Sequence, residues 1–587
     1  MARGPCRPRP PPRRPASPSG RPGIAASRPA AAGSGNAAIY FDREPYDAAL
    51  ARPLGRQSAG EGFLRGFLQH ADVEQVYLWN VRDRPVAEFA PLLERLGPPG
   101  KPLTWIGPDR AALAAPGAVH IPTPELRQEA WARREAGAAS YSLTGVTHTI
   151  AEHHIMAEIA GLLIGPVETW DALICTSPAV QSAVQTQLAA VAEYLHDRFG
   201  VTRMPAAQLV TIPLGVHTQD FTPDPEARRR WRDALDVPQD AFAALYFGRF
   251  NIATKMNPAP MGLALQEAAR RTRQPVYWIL FGGTFSPDAD QAFREAAQAF
   301  CPDVQLRFVG EAQPDAHGPI WSAADAFISF SDNVQESFGL TVPEAMAAGL
   351  PCVVSDWDGY RASLRHGTDG FLIRTTTPRP GLGADLAYRY AHGIGGYDRY
   401  FIAQSQFTAV DVERAGQALA ALIQDPERRA RMGASAMARA RSVFDWKAVI
   451  PQYQTLWREL ERRRRAAPAQ APGVGLENPW ALDPFRMFAA YPSHTLAHTD
   501  TVQLTRAFAP ADLAAIMAAP SVRGAESRLP TLPQTEALIA ALSHDRPAAV
   551  GAILSGFPPQ ERPFLERGLV WLAKYGLVRF SRVTLKE

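Results

Sequence analysis

The chain has 587 residues, 46% hydrophobic and 20% charged, which is the composition of a folded globular protein of three or four domains at roughly 100 to 200 residues each. It contains no apolar run of about 18 residues, which excludes a membrane-spanning helix. Cys6, Cys175, Cys301 and Cys352 lie far apart with no CxxC pair, which argues against a zinc ribbon or disulfide scaffold and fits a reducing cytoplasm.

The net charge of +3 conceals an asymmetry, because residues 1–36 carry seven arginines and no acidic residue. The remainder is mildly acidic, so the pI of 8.6 is no argument for nucleic-acid binding. Residues 1–36 also hold nine prolines without apolar periodicity and are expected to be a disordered tail, lacking the apolar core of a secretory signal.

From Ala37 the texture changes. Short apolar runs at 37–42, 75–80, 102–107, 143–148, 172–177 and 209–215 alternate with amphipathic stretches such as GFLRGFLQHA. A second series runs through 243–249, 276–282, 304–310, 326–331, 351–356 and 370–375. This rhythm predicts two successive α/β halves built on parallel sheets. An aromatic-rich helix is predicted over 444–465, then a Pro/Gly/Ala linker over 466–479 and a mainly helical unit over 480–587. The last part of that unit reads as a helix stopped by Gly576 and followed by a strand, a winged-helix-like succession.

The sharpest chemical signal is ESFGLTVPEAMAAGLPCVVSD at 336–356, where Glu336 and Glu344 are separated by seven residues. Glycine in the loop lets backbone amides approach a ligand, and the helix start favours an anion, so Ser337, Phe338, Gly339 and Leu340 frame a candidate phosphate site. The two glutamates then flank the phosphate. Such a pair suits a nucleotide sugar, with one acid for the sugar hydroxyls and one for the ribose. The alternative makes Glu344 a helix-dipole partner and Glu336 a surface acid.

The run NVQESFGLTVPEAMAAGLPCVVSDWDGYRASLRHGTDGFLI (333–373), with YFGRF (246–250) and TIPLGVHTQDF (211–221), resembles the family 4 glycosyltransferases. The resemblance covers about 37–460. It implies the GT-B fold, two Rossmann-like domains facing a cleft, with an acceptor domain over 37–220 and a donor domain with a crossing helix over 221–465. It also implies a retaining transfer from a nucleotide diphosphate sugar to an acceptor hydroxyl on a glycan or glycoconjugate, with no metal and no cofactor. Gly248 and Arg249 fill the places of the family's diphosphate-binding Gly-Arg. Lys255 fills that of its lysine, one residue later than usual, and it is one of only five lysines in the chain.

In the first half, PLGRQSAGEGFLRGF (53–67) resembles the family's glycine loop, with Gly55, Gly60 and Gly62 expected in a flexible loop near the donor. GVTHTI (145–150) resembles the strand end that carries a histidine beside the donor sugar. His148 is the candidate, with His153 and His154 close by. A structural histidine capping a strand is the alternative at each position. The segment 384–407 departs from the family pattern; its six aromatics suit a mobile loop near a ligand as well as a packed excursion.

Three other readings stay open: a GT-B sugar-nucleotide enzyme that is not a transferase, a silent GT-B scaffold, and a DNA-binding regulator acting through 480–587. The scattered basic residues Arg546, Arg562, Arg567, Lys574 and Arg579, offset by Asp545, Glu561 and Glu566, disfavour stable nucleic-acid binding. The expected location is cytoplasmic or peripheral at the inner membrane face.

Overall fold

Apolar runs buried on both faces form parallel strands, and the amphipathic stretches between them form the covering helices. The computed structural model describes residues 35–49, 55–97, 100–283, 286–310, 319–468, 477–505 and 510–581. The chain separates into two units, Met1–Gly475 and Leu476–Glu587.

The first unit holds two parallel sheets. Strands β1 (Ala38–Phe41), β2 (Val76–Asn80), β3 (Leu103–Ile106), β4 (Ala118–Ile121), β5 (Ser142–Val146), β6 (Ala172–Cys175) and β7 (Gln208–Thr211) lie in the order β3-β2-β1-β4-β5-β6-β7. Strands β8 (Phe242–Phe247), β9 (Val276–Phe281), β10 (Val304–Val309), β11 (Ala326–Ser329), β12 (Cys352–Ser355) and β13 (Gly370–Ile373) lie in the order β10-β9-β8-β11-β12-β13. Two Rossmann-like domains in succession are the GT-B architecture. β4 is a strand that the sequence reading left out: AVHI is short and flanked by Gly117 and Pro122, yet it pairs with both β1 and β5 at the centre of the sheet.

Alternation along β8 shows the layering. Ala243, Leu245 and Phe247 enter one apolar core, while Phe242, Ala244 and Tyr246 enter the core on the other face, as the two-residue period of a strand requires. The two halves are sewn together where the chain crosses twice: Val216 N–H donates to the Phe444 carbonyl at 2.7 Å and Trp446 N–H to the Val216 carbonyl at 3.2 Å. The helix Trp446–Ala466 then packs on the first half, burying Val449, Ile450, Tyr453, Trp457 and Leu460 with Phe41, Phe63 and Phe67. Trp457 Nε1 donates to Thr144 Oγ1 at 3.2 Å.

The 384–407 segment is helical. Helices Ala384–Ala391 and Gly396–Ser405 form a hairpin closed at its neck by the antiparallel pair β14 (Thr375–Thr376) and β15 (Ala409–Val410). Gly393, Gly395 and Gly396, all at positive φ, make the tight turn between the helices.

The second unit contains an antiparallel sheet in the order β17-β16-β18, from Ala548–Ala549, Thr501–Leu504 and Val578–Ser581. Helices Leu532–Ala540, Val550–Ser555 and Arg562–Lys574 bury Leu538, Val550, Leu565, Leu569 and Leu572 against it. The expected helix, turn and strand are present at its end, with Gly576 at φ +70°. Arg562 is spent on the Phe557 and Ser555 carbonyls and Arg567 lies over the Phe564 ring.

Candidate active site

In both sheets the strand order reverses beside the first strand, between β1 and β4 and between β8 and β11. A ligand crevice opens at the carboxyl ends of strands that flank such a switch. Two loops meet at the second one. The loop after β8 carries Gly248, Arg249 and Lys255, and the loop after β11 carries Glu336 to Leu340 and enters the helix Thr341–Ala347, which holds Glu344.

Lys255 Nζ donates to Glu336 Oε2 at 2.7 Å, and the two side chains are only 18% and 13% exposed. The extra residue before Lys255 is absorbed by a turn: Asn251 Oδ1 accepts from Thr254 N–H at 2.8 Å, and the Asn251 carbonyl accepts from Lys255 N–H at 3.0 Å. Asn333 Nδ2 donates to the Lys255 carbonyl at 2.9 Å, tying one loop to the other. Arg249 bonds the Thr254 carbonyl through Nη2 at 3.4 Å. Gly282 lets the second strand end approach, since a side chain there would overlap the Gly248 carbonyl.

The carboxyls of the site differ in charge. Burial works to raise Glu336, but the Lys255 charge and hydrogen bond, the Ser337 N–H and Arg249 outweigh it and hold the group below its ordinary value. Glu344 is pushed up to about 7 by burial, which Lys255 only partly opposes. Asp332 and Asp358 are also pushed up to about 7, the first by burial alone and the second by burial and the Glu336 charge. The sequence reading missed both aspartates. Their signal was position, since each closely follows a strand end beside the switch, β11 for Asp332 and β12 for Asp358.

Gly339 sits at φ +80°, and a β-carbon there would collide with the Tyr360 ring. Tyr360 is fully buried and hydrogen-bonded to Ser329 Oγ at 2.9 Å, so it cannot yield. Ser337 offers its N–H to Glu336. The Phe338 side chain is 2% exposed and packs in the core with Phe444, so only its backbone faces the loop. Leu340 is half-buried against the same core.

In the first half, His148 follows β5. Burial and the Arg56 charge push it down to about 4 against a hydrogen bond to the Pro122 backbone, so the ring is neutral. His154 is exposed and paired with Glu125 at 2.6 Å, whereas the His153 ring lies 3.9 Å from that of Tyr390. Gly55 opens the helix Gly55–His70 with free space where its side chain would be. Gly60 and Gly62 differ from expectation: both stand within that helix. Gly60 is pressed against the Pro45 carbonyl and Gly62 against Trp446, close approaches that justify glycine in a helix interior. Residues 50–54 lie outside the described residues. Among the described residues no group of three or more His, Cys, Asp or Glu is placed to hold a metal ion.

Residues 227–379 match the family model "Glycosyl transferases group 1". That span contains Gly248, Arg249, Lys255, Glu336 and Glu344. The chain is a glycosyltransferase. Among curated relatives, the glycosyltransferase is 25% identical over 358 residues to a D-inositol 3-phosphate glycosyltransferase of Thermobispora bispora, covering 58% of this chain and 72% of the relative. It is 31% identical over 170 residues to a phosphatidyl-myo-inositol mannosyltransferase of Mycobacterium tuberculosis, covering 29% of this chain and 40% of the relative. Against a second D-inositol 3-phosphate glycosyltransferase, of Corynebacterium efficiens, the chain spans about half of the relative's length, 48%. Among solved structures it resembles Anabaena Alr3699/HepE in complex with UDP-glucose, with a TM-score of 0.45 and 18% identity over 71% of this chain and 98% of that one. Among the described residues no helix is long and apolar enough to cross a membrane.

Proposed function

We propose that this glycosyltransferase is a retaining enzyme that moves a hexosyl group from a nucleoside diphosphate sugar to a hydroxyl of a polyol or glycoconjugate. The Lys255–Glu336 contact at the β8/β11 switch carries the reading. It places a cation and a carboxylate side by side where a sugar diphosphate has both an anion and a row of hydroxyls to satisfy. Arg249 and Lys255 would neutralise the diphosphate as it leaves, and the Ser337–Leu340 amides would contribute donors. Glu336 would hold sugar hydroxyls, Glu344 the ribose, and neutral His148 the sugar from the opposite half. Catalysis then rests on leaving-group stabilisation as the sugar acquires positive charge. The inositol-directed relatives support a polyol-type acceptor.

The test starts from the thermal shift of the full chain with UDP, GDP, ADP and CDP and their sugar conjugates. A ligand at 100 times its Kd adds about 2.7 kcal/mol of stability. One base is expected to raise Tm, and Lys255→Ala to abolish the rise. The effective donor is then combined with inositol 3-phosphate, and the anomeric configuration of the product is read by NMR. An inverted product overturns the retaining assignment, and no shift with any nucleotide overturns the donor site.

A further inference from the structure

The loop that presents Glu336 has no regular secondary structure, and side chains pin it. Asn333 Oδ1 accepts from Gln335 N–H at 3.0 Å, and Trp357 Nε1 donates to the Asn333 carbonyl at 2.9 Å. Two further pins come from the helix Gly396–Ser405 of the hairpin. Gln404 Oε1 accepts from Val334 N–H at 3.2 Å, and the Tyr397 hydroxyl accepts from Gln335 Nε2 at 2.9 Å. Phe401, fully buried, anchors that helix, with its ring 4.5 Å from that of Tyr397.

The same hairpin reaches the other half of the molecule. The Tyr397 hydroxyl donates to Glu152 Oε1 at 3.4 Å, and the Tyr390 hydroxyl donates to the Ala151 carbonyl at 3.3 Å. The Tyr390 ring stacks on that of Tyr400 at 4.1 Å and lies 3.9 Å from that of His153. Glu152 stands at the start of the helix His153–Ile164 but makes no side-chain capping bond there. Its carboxylate is directed to the tyrosine instead. One phenol therefore accepts from the residue next to Glu336 and donates to the opposite half.

We propose that Tyr397 is a positioning residue for the transfer: through Gln335 it fixes the Glu336 arm, and through Glu152 it makes that arm's geometry depend on the hairpin being docked on the first half. The proposal rests on the reading that Glu336 holds the donor sugar. A phenol with one acceptor and one donor role can serve both partners at once, and losing its oxygen frees both. Because the aromatic ring is retained, Tyr397→Phe keeps the packing on Phe401 and should fold.

The experiment uses the full chain in two readouts. In hydrogen exchange without ligand, Tyr397→Phe is expected to speed exchange at the Val334–Ser337 amides and in the first turn of His153–Ile164 together. In steady-state hydrolysis of the nucleotide sugar identified by thermal shift, kcat is expected to fall about tenfold while the Kd for the nucleoside diphosphate changes less than about twofold. Glu152→Gln keeps an acceptor oxygen and is expected to behave as wild type. Glu152→Ala should resemble Tyr397→Phe, and the double variant should be no worse than either. If exchange at both segments is unchanged, or the two single effects add, the positioning role is overturned. If exchange changes as expected but the wild-type chain binds no nucleotide, the donor-site reading has failed and the catalytic part of the proposal falls with it. If Lys255→Ala abolishes hydrolysis while Tyr397→Phe keeps full kcat, only the present proposal falls.

Discussion

Lys255 and Glu336, 81 positions apart in the chain, form a largely buried ion pair at 2.7 Å where β8 and β11 end side by side. Each satisfies the other's charge. The pair therefore holds the two loops together by itself, and on the proposed reading a donor diphosphate would exchange one pairing for another.

The first prediction tests this exchange. Lys255→Ala should lower turnover about 100-fold to 1,000-fold, the scale of losing one preorganised charge contact in the transition state. It also leaves the Glu336 carboxylate buried without its cation, which should cost about 3 kcal/mol of stability. Adding Glu336→Gln is expected to restore the denaturant midpoint but not the turnover. A double variant as unstable as Lys255→Ala would show that the pair is not what the lysine stabilises.

Glu344 should give stability a pH slope. Its folded value of about 7 lies above the ordinary carboxyl value of 4.5, so the folded state binds a proton more tightly than the unfolded one. The stabilisation is complete below about pH 4.5 and is lost as pH rises to about 7, amounting to about 3 kcal/mol. Glu344→Gln should remove this decline, visible as a smaller difference between denaturant midpoints at pH 4.5 and 8. Nucleoside diphosphate affinity should move the opposite way, rising through pH 7 as the carboxylate forms. An identical stability profile in wild type and variant would refute the assignment.

Gly339→Ala should cost about 3 kcal/mol or more, since it adds backbone strain at φ +80° to a collision with Tyr360. Tyr360→Leu in the same chain should recover part of the loss by removing the ring. A Gly339→Ala protein melting within a degree of wild type would contradict the loop geometry.

Trp446 is nested among three glycines of two chain segments: a β-carbon on Gly62 or Gly66 of the helix Gly55–His70 would lie 3.1 or 2.7 Å from its atoms, and one on Gly215 would overlap its ring. Trp446→Ala should destabilise by about 3 to 5 kcal/mol by opening a cavity. Gly66→Ala, harmful in the wild-type chain, should be tolerated or mildly stabilising when the tryptophan is gone. Calorimetry of the two single variants and the double variant decides the matter.

Much of the fold was legible because buried parallel strands are short apolar runs between amphipathic helices, and each run up to β13 apart from β4 was readable on that basis. AVHI escaped because four residues between turn formers give too little pattern, and its strand identity comes from partners on both sides. The site was legible wherever its residues share a local motif, as Glu336, Gly339 and Glu344 do. Gly60 and Gly62 were misplaced because a glycine that loosens a loop and a glycine that admits a neighbouring side chain look alike until the neighbour is seen.

The succession of strands other than β4, the pairing of Glu336 with Glu344 in one motif, the candidates Arg249 and Lys255 that the family resemblance supplied, and the unusual aromatic content of 384–407 follow from sequence alone. The pairing of Lys255 with Glu336, the raised values of Asp332 and Asp358, and the reach of Tyr397 from Gln335 to Glu152 belong to the tertiary structure. Their physical reason is common: each depends on burial or on contact between segments far apart in the chain, and neither quantity is written in the spacing of residues along it.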